Sequence, residues 1–323
     1  MDAVTRLHDV VEAVKKEPGA LPEEPVARFA RLVARIAWDR GVTSFEVPAG
    51  FPVAQADALR GAGFGVRWLP APFVAERSRK TPEEVEKIRG AIGHTEAAMR
   101  VAVDRIARAT VRGQGLFEGA QPLTAEGVRL AIDIALLERG CHGYVSIVAG
   151  GEQGVDPHER GSGPLPAHLP ILLDIFPRDL TTRYHGDMTR TVVKGSATSQ
   201  VKKMFVAVKE AKQAAEATLR DGVDGADVHA AVEKVFSDAG FKTGVENGRM
   251  AGFFHGTGHG LGLDVHEYPR ISKFHETLKA GHVVTVEPGL YYPGIGGVRL
   301  EDDVVLTKEG CSNLCSFESV LEV

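Results

Sequence analysis

The strongest constraint in this sequence is a pair of acidic residues inside apolar, strand-like segments at residues 172–193. The stretch reads LLDIFPRDLTTRYHGDMTRTVV, with Asp174 before and Asp187 after a central turn. Aspartate is rare in strands and costly to bury alone. The two positions are symmetric about Leu180-Thr181, so a hairpin that turns there places them opposite each other. Because facing carboxylates repel, the stretch predicts a cation between them.

The composition excludes several classes of protein. The 323 residues are 43% hydrophobic and 25% charged with a net charge of −5, which predicts a large core and one or two domains. This mild acidity argues against nucleic acid or an anionic membrane as a partner. No apolar run reaches the roughly 18 residues that span a bilayer, and residues 1–10 lack the apolar segment of a signal peptide. Three cysteines are too few for a disulfide framework, so we expect reduced thiols and a cytoplasmic protein.

The chain is predicted to form two domains, residues 1–78 and 79–323. The first is a small α/β domain, because helical spacing over 25–38 is followed by strand-like segments at 42–47 and 66–69. It carries no chemical motif. The second begins where Thr81, Pro82 and Glu84 form the pattern of a capping box. Helices are predicted there from this box to about residue 110 and at 124–139, 201–219 and 226–239.

Five polar residues interrupt apolar strands or glycine-rich turns in the second domain: Asp174, Asp187, His259, Glu287 and Glu301. Their four carboxylates carry a charge of −4, which two divalent cations neutralise; without metal they would raise one another's pKa values. Oxygen-rich ligation with one imidazole suits Mn²⁺, with Zn²⁺, Co²⁺ or Fe²⁺ as alternatives. Two metals that share carboxylates are machinery for hydrolysis. The HExxH zinc motif is absent, and four other polar residues are expected at the surface or behind the ligands: Asp264, His275, Asp302 and Asp303.

The order of these five residues resembles that of a known family. The segments DMTRT (187–191), HGTGHGLGLDVHE (255–267), VEPGLY (286–291) and VRLED (298–302) are similar to those of the pita-bread metallopeptidases, which include methionine aminopeptidase, prolidase and aminopeptidase P. The resemblance covers residues 80–323. It implies an α+β pita-bread catalytic domain preceded by a small α/β domain like that of creatinase. The loop at His158 and the N-terminal domain resemble the Xaa-Pro branch.

The resemblance also implies a role for each residue. Asp187 and Glu301 would bridge two metal ions, Asp174 would bind one of them, and His259 with Glu287 would bind the other. Glu287 would carry a proton from water to the leaving prolyl nitrogen. The remaining roles are holding the carbonyl oxygen and tetrahedral intermediate, for His158 and His266, and lining the substrate pocket or orienting the acids, for His255 and Arg299.

One feature departs from the family pattern. The two hairpin acids stand two residues further apart than usual, which we interpret as an insertion in the turn at residues 178–183. An even insertion keeps both side chains on one face of the strands, so Asp174 remains the predicted first ligand. Asp179 is the fallback, although the neighbouring Pro177 favours a turn there.

The expected activity is that of a Xaa-Pro aminopeptidase acting on peptides with proline at the second position. This expectation rests on the short N-terminal domain, because less covering mass favours an open groove. The alternative is a Xaa-Pro dipeptidase (prolidase), whose carboxylate-binding group could come from a dimer partner. A metal-free peptide-binding member of the fold is the remote alternative. The resemblance further implies a homodimer.

Overall fold

The structure, a computed structural model, describes residues 7–16, 21–246 and 248–323. Residues 1–6, which belong to the segment inspected for a signal peptide, lie outside these ranges. The chain divides into two compact units, residues 1–75 and 76–323, so the division falls three residues before the predicted boundary. Within the described ranges, no helix is both long and apolar enough to cross a membrane.

The first unit is a small α/β structure, as predicted. Its described elements are α1 (Leu7–Lys15), α2 (Pro25–Asp39), β1 (Ser44–Pro48), α3 (Val53–Gly61) and β2 (Gly65–Leu69). Helix α2 begins at Pro25 because the Glu24 carboxylate accepts the N–H groups of Val26 and Ala27 at 2.9 and 2.6 Å. Strands β1 and β2 pair in parallel, and Phe64 packs against alanines of α2.

The second unit begins its helices with α4 (Pro82–Arg108), and the predicted capping box is confirmed. The Thr81 hydroxyl accepts the Glu84 N–H at 3.3 Å, and the Glu84 carboxylate accepts the Thr81 N–H at 2.8 Å. The other helices of this unit are α5 (Ala125–Leu137), α6 (Ser199–Thr218) and α7 (Gly225–Asp238). All three overlap the predicted segments closely. Each begins directly after a Thr or Asp cap whose side chain accepts a backbone N–H of the first turn.

The strands of the second unit fall into two groups separated by α6 and α7. Before these helices lie β3 (Thr110–Arg112), β4 (Gly115–Glu118), β5 (Gln121–Pro122), β6 (Cys141–His142), β7 (Ile147–Gly150), β8 (Ile171–Ile175), β9 (Arg178–Asp179) and β10 (Met188–Val192). After them lie β11 (Gly244–Glu246), β12 (Arg249–Ala251), β13 (Gly258–Gly260), β14 (Glu267–Ile271), β15 (Val283–Val286), β16 (Gly289–Tyr292), β17 (Gly296–Arg299), β18 (Asp302–Leu306) and β19 (Cys311–Asn313).

Each half of this unit packs a helix pair against a sheet. Helices α4 and α5 share a core with the antiparallel sheet β10-β8-β7, and α6 and α7 share one with the sheet β14-β13-β15-β18-β19 and the hairpin β16-β17. The Glu301 N–H donates to the Thr189 carbonyl at 3.1 Å, so the two halves are joined directly at the strand ends that carry the acidic residues.

The predicted register of the acidic hairpin is wrong by two residues. Asp174 of β8 lies opposite Thr189 of β10, and Asp187 precedes β10 instead of facing Asp174. Because side chains alternate along a strand, a shift of two residues leaves both acids on the same face. The predicted facing pair is therefore a diagonal pair.

The segment between the two strands explains this shift. Residues Arg178–Asp179 leave the hairpin as β9 and pair with β6. The Asp179 Oδ1 atom then accepts the N–H groups of Thr181 and Thr182 at 2.8 and 2.7 Å, forming a side-chain-stabilised turn. The connection is thus not a symmetric hairpin turn, and its midpoint does not set the register.

Candidate metal centre

A cavity of about 410 Å³ in the second unit brings the predicted site residues together. Its lining contains, in chain order, His158, Asp174, Asp187, His255, His259, His266, Glu287, Arg299 and Glu301. The fallback residue Asp179 does not line the cavity. The role of each residue as ligand or catalyst stays a prediction, and the structure supplies the geometry on which that prediction depends.

Strand ends explain why the five predicted ligands converge. Asp174 lies within β8, Asp187 directly before β10 and His259 in the middle of β13, while Glu287 directly follows β15 and Glu301 directly precedes β18. Each side chain is therefore carried by a paired strand or by its first neighbour, where the backbone is held by the sheet. This placement fixes the positions of the donor atoms before any ligand binds.

His259 presents a single nitrogen to the cavity. Its Nδ1 lies 3.1 Å from the Gly260 carbonyl, which can only accept, so Nδ1 carries the proton and Nε2 is left with its lone pair. Burial lowers the pKa of His259 to about 3, so the ring is neutral. The strand approaches its neighbour closely here, since a Cβ at Gly258 would lie 1.9 Å from the Thr285 carbonyl oxygen. Glycine is therefore required beside this histidine.

The donor atoms are spaced for cation binding. One ligand atom each from Asp187, His259 and Glu301 lies within 4.8 Å of the other two. The His259 Nε2 is 3.8 Å from Asp187 Oδ2 and 3.5 Å from Glu287 Oε1, distances too long for good hydrogen bonds. Asp174 Oδ1 is buried without a hydrogen-bond partner among the described residues. These residues fit a divalent metal, which would fill the space between them.

The charges give a second reason to expect a cation. Burial, and then the charge of Glu301, raises the pKa of Asp187 well above its ordinary value. Burial, followed by the charge of Glu287, does the same to the pKa of Glu301, and burial raises the pKa of Glu287 to about 7. Ionised carboxylates are therefore unfavourable in this cavity unless positive charge is bound with them.

Arg299 supplies part of that positive charge. It is only 3% exposed, and its Nη2 donates to Asp174 Oδ2 at 2.5 Å. Its Nε donates to the Thr189 hydroxyl at 3.1 Å, and Thr189 in turn donates to Glu301 Oε2 at 2.7 Å. Arg299 and Thr189 therefore connect two of the predicted ligands and hold one carboxylate oxygen of each.

His255 belongs to the same hydrogen-bonded chain. The Arg299 Nη1 donates to the Tyr291 hydroxyl at 3.1 Å, and that hydroxyl donates to His255 Nε2 at 2.9 Å. The other nitrogen, Nδ1, donates to the Gly256 carbonyl at 2.7 Å. Burial lowers the pKa of His255 to about 3. With both nitrogens occupied and the ring neutral, His255 is suited to line the pocket and not to exchange protons.

Two other histidines, His158 and His266, line the cavity. The ring of His266 stands 4.3 Å from that of His259, centre to centre, at 81°, and burial lowers the pKa of His266. His158 follows a 3₁₀ turn at Gly151–Val155, and its backbone N–H donates to Asp156 Oδ1 at 2.9 Å. Its side chain is exposed toward the cavity, where a substrate could reach it.

Two residues that matter for the geometry, Thr189 and Tyr291, escaped the sequence analysis as site residues, whereas Asp303 was expected either at the surface or behind the ligands. Asp303 is fully buried, and its Oδ2 accepts the Asp187 N–H at 2.9 Å. It therefore lies behind a ligand and not at the surface, whereas Asp264 and His275 are exposed. The spacing offered a signal for Thr189, because a residue two positions after Asp187 projects from the same face of the strand.

Several known proteins are similar to this chain in sequence and in architecture. Residues 86–308 match the sequence profile of metallopeptidase family M24. The Xaa-Pro dipeptidase of Pyrococcus horikoshii is 34% identical over 310 residues, which are 92% of this chain and 80% of that protein. The Xaa-Pro dipeptidase of Pyrococcus furiosus is 30% identical over 75% of this chain, which spans 64% of the length of that relative. The solved X-Pro aminopeptidase of Thermotoga maritima matches with a TM-score of 0.75 at 25% identity, over 97% of this chain and 85% of that one.

Proposed function

The chain belongs to metallopeptidase family M24 and has its pita-bread fold, and from this premise we propose that it hydrolyses the Xaa-Pro bond at the N-terminus of short peptides. The observation that carries the proposal is the cavity in which four carboxylates and His259 converge. The names of the relatives on both the dipeptidase and the aminopeptidase side support the Xaa-Pro bond as the target.

Asp174, Asp187, His259, Glu287 and Glu301 would hold the two metal ions on which the family depends. When bound, such ions polarise the scissile carbonyl and supply a nucleophile from water at neutral pH. The spare oxygen of Asp174 and the free Nε2 of His259 are the atoms that favour this assignment. Manganese is our choice of ion, because oxygen donors dominate the set.

Glu287 is the proposed proton carrier. Burial raises the pKa of its carboxyl to about 7 in metal-free protein; its role with metal bound is proposed from the resemblance, since carboxylates are among the groups that carry protons in general acid–base catalysis. The leaving group of a Xaa-Pro bond is the secondary amine of proline, which departs readily only once it is protonated. His158 and His266 both line the cavity and would donate hydrogen bonds to the carbonyl oxygen and to the charge that develops on it.

The length of the substrate would depend on a second guanidinium group in the cavity lining, that of Arg270. Arg270 of β14 lines the cavity and is exposed, and in the described part of the chain its side chain has no ion pair or hydrogen bond. Such a guanidinium is suited to a carboxylate. The free C-terminus of a Xaa-Pro dipeptide would supply one close to the scissile bond, whereas a longer peptide has an amide there. We therefore favour a dipeptidase over an aminopeptidase.

The aminopeptidase remains the second candidate. Its support is the short N-terminal unit of 75 residues and the likeness to the T. maritima X-Pro aminopeptidase over 97% of this chain. The deciding experiment offers Mn²⁺-loaded protein a Xaa-Pro dipeptide and a Xaa-Pro pentapeptide and follows products by mass spectrometry. Turnover of the dipeptide alone supports the dipeptidase, release of the first residue from the pentapeptide supports the aminopeptidase, and cleavage of neither by metal-loaded protein contradicts both.

Replacement of Arg270 by Met tests the role of its charge. We expect kcat/KM for the dipeptide to fall about 10–100-fold, since a hydrogen bond to a charged group contributes about 1.5–3 kcal/mol. The C-terminal amide of the same dipeptide should be affected little. Lys273→Met is the control, because Lys273 lies three residues away over Phe274 and outside the cavity lining. An equal loss on the acid and the amide would contradict the assignment.

The assembly and the location are further proposals, and the assembly rests on the resemblance. A homodimer is expected, and size-exclusion chromatography with light scattering on the purified protein would test it. A cytoplasmic location is expected from the reduced state proposed for Cys141, Cys311 and Cys315, all of which are unpaired in the structure. Fractionation of the source cells would test that location.

A further inference from the structure

A second cluster of metal-binding side chains lies outside the cavity. His94 of α4, Cys141 of β6 and Asp179 of β9 bring an imidazole nitrogen, a thiol sulfur and a carboxylate oxygen within 4.8 Å of one another. None of the three lines the cavity. The cluster lies at the turn that lengthens the connection between Asp174 and Asp187. One of its members, Asp179, therefore belongs to the segment in which this sequence departs from the family pattern.

The fold holds these three groups in place. Cys141 and Asp179 are direct cross-strand partners in the β6-β9 pair, which places their side chains on one face. Asp179 Oδ1 is occupied by the N–H groups of Thr181 and Thr182, so Oδ2 is the oxygen left to face His94. The position of this carboxylate is therefore set by the turn and does not depend on His94.

The contacts within the cluster are too weak to explain it. His94 Nε2 lies 3.6 Å from Asp179 Oδ2, beyond a good hydrogen bond. The Cys141 sulfur has a single polar contact in the described chain, 3.9 Å from the Arg139 carbonyl. Burial raises the pKa of the Cys141 thiol to about 11, whereas reactive cysteines have lowered pKa values. An ion pair between His94 and Asp179 would leave the thiol beside it without a role.

We propose that His94, Cys141 and Asp179 bind one zinc ion, with a water molecule as the fourth ligand. Ligand atoms around a tetrahedral zinc lie roughly 3–4 Å apart, given bonds of about 2.0–2.3 Å, which the present spacing meets after small side-chain movements. A thiolate favours zinc over manganese, so this site would differ in preference from the oxygen-rich cavity. The His94 side chain is 34% exposed, which gives the ion and the water access from solvent.

The bound ion would tie three elements together. It would join α4, β6 and the turn at residues 178–182, and so stabilise the connection between the strands that carry Asp174 and Asp187. Ions that bind only the folded state raise its stability in proportion to the logarithm of their concentration. Binding would also displace the thiol proton, since Cys141 is neutral without metal.

Cobalt titration of the 323-residue chain tests the proposal, because a thiolate bound to Co²⁺ gives a near-ultraviolet charge-transfer band. No cysteine lines the cavity, so Co²⁺ bound there contributes no such band. We expect the band in wild-type protein to reach an amplitude that corresponds to one thiolate-bound cobalt per chain, whatever the loading of the cavity, and to disappear when Zn²⁺ is added. It should be lost in Cys141→Ser and retained in Cys311→Ser, whose sulfur contacts the Glu216 carbonyl instead.

Two further variants guard against a folding defect in Cys141→Ser. His94→Ala changes a partly exposed helix position, and Asp179→Asn keeps an oxygen that can accept the two turn N–H groups. Each should weaken cobalt binding about tenfold or more while the Mn²⁺-dependent activity and the circular dichroism spectrum stay as in wild type. A wild-type protein without the band, a band that survives in Cys141→Ser, or unchanged cobalt affinity in both other variants would overturn the proposal.

Discussion

Replacing Thr189 by Val should weaken metal binding without leaving a cavity. Thr189 is fully buried in β10, and its hydroxyl donates to Glu301 Oε2 at 2.7 Å and accepts from Arg299 Nε at 3.1 Å. Valine has nearly the same shape, so the substitution removes these two hydrogen bonds and little else. It also leaves the Arg299 Nε–H buried without an acceptor.

The contacts set the size of the effect. A hydrogen bond to a charged group contributes about 1.5–3 kcal/mol, and a buried donor left unpaired costs about 1–3 kcal/mol more. Part of this cost will be relieved by movement of Arg299, so we expect a loss of about 2–4 kcal/mol in the free energy of unfolding. Glu301 also loses the group that orients it, and loss of such a partner typically lowers metal affinity or activity about 10–100-fold.

Thr191→Val is the matched control for this prediction. Thr191 lies two residues along the same strand, is equally buried, and its hydroxyl pairs with the Arg299 carbonyl and N–H, both at 3.0 Å. It should lose stability but retain Mn²⁺ affinity, because it touches no carboxylate. Thr189→Ser should restore both. Isothermal titration with Mn²⁺ and urea unfolding measure the two quantities, and equal Mn²⁺ affinity in the two valine variants would refute the reasoning.

Two further predictions concern the charges of the cavity. Asp187→Ala should abolish Mn²⁺ loading and peptide hydrolysis, because Asp187 brings a ligand atom within 4.8 Å of those of both His259 and Glu301; full turnover in metal-titrated variant protein would remove it from the ligand set. In metal-free protein, Glu287 should contribute a loss of about 1 kcal/mol of stability between pH 6.5 and 8 relative to the Glu287→Gln variant, because burial raises the pKa of Glu287 to about 7 and the folded state then holds a proton that the unfolded chain releases. The buried histidines with lowered pKa values, among them His255 and His259, gain stability over the same range, but they are common to wild type and Glu287→Gln. Urea unfolding of the two metal-free proteins across this window therefore isolates Glu287, and an equal pH dependence of the two would contradict the prediction.

Local signals in the sequence sufficed for the helices. Thr81 and Glu84 are three residues apart, which is the separation at which each side chain reaches the backbone of the other, so the start of α4 was predictable to the residue. The convergence of nine cavity residues was also predicted, but that prediction depended on the resemblance to a family. The spacing of residues along the chain does not indicate which strands become neighbours.

The hairpin register could not be predicted from symmetry. Symmetry assumes that the residues between two strands form one turn, whereas residues 178–179 pair with β6, which lies more than thirty residues earlier in the chain. Only the parity of the two acids was determined by the sequence, because it follows from the alternation of side chains. Asp179 could likewise be considered as a cavity ligand from the sequence, because its pairing with the distant Cys141 is not visible there.

The charge of the cavity depends on a residue that the sequence-based charge count left out. Four carboxylates require two divalent ions if they are considered alone, but Arg299 is buried among them and pairs with Asp174. Together the four acids and this guanidinium carry a charge of −3, so one divalent ion leaves −1 and two leave +1. With His259 neutral, only the two-ion state gives these five groups a positive excess, whereas the exposed Arg160 and Arg270 of the lining contribute the same charge at either loading. A positive excess among the five groups favours an oxyanion or a peptide carboxylate. The prediction is therefore that protein loaded with one Mn²⁺ per chain binds a Xaa-Pro dipeptide much more weakly than protein loaded with two, and equal binding at both loadings would show that the charge of the cavity does not select its substrate.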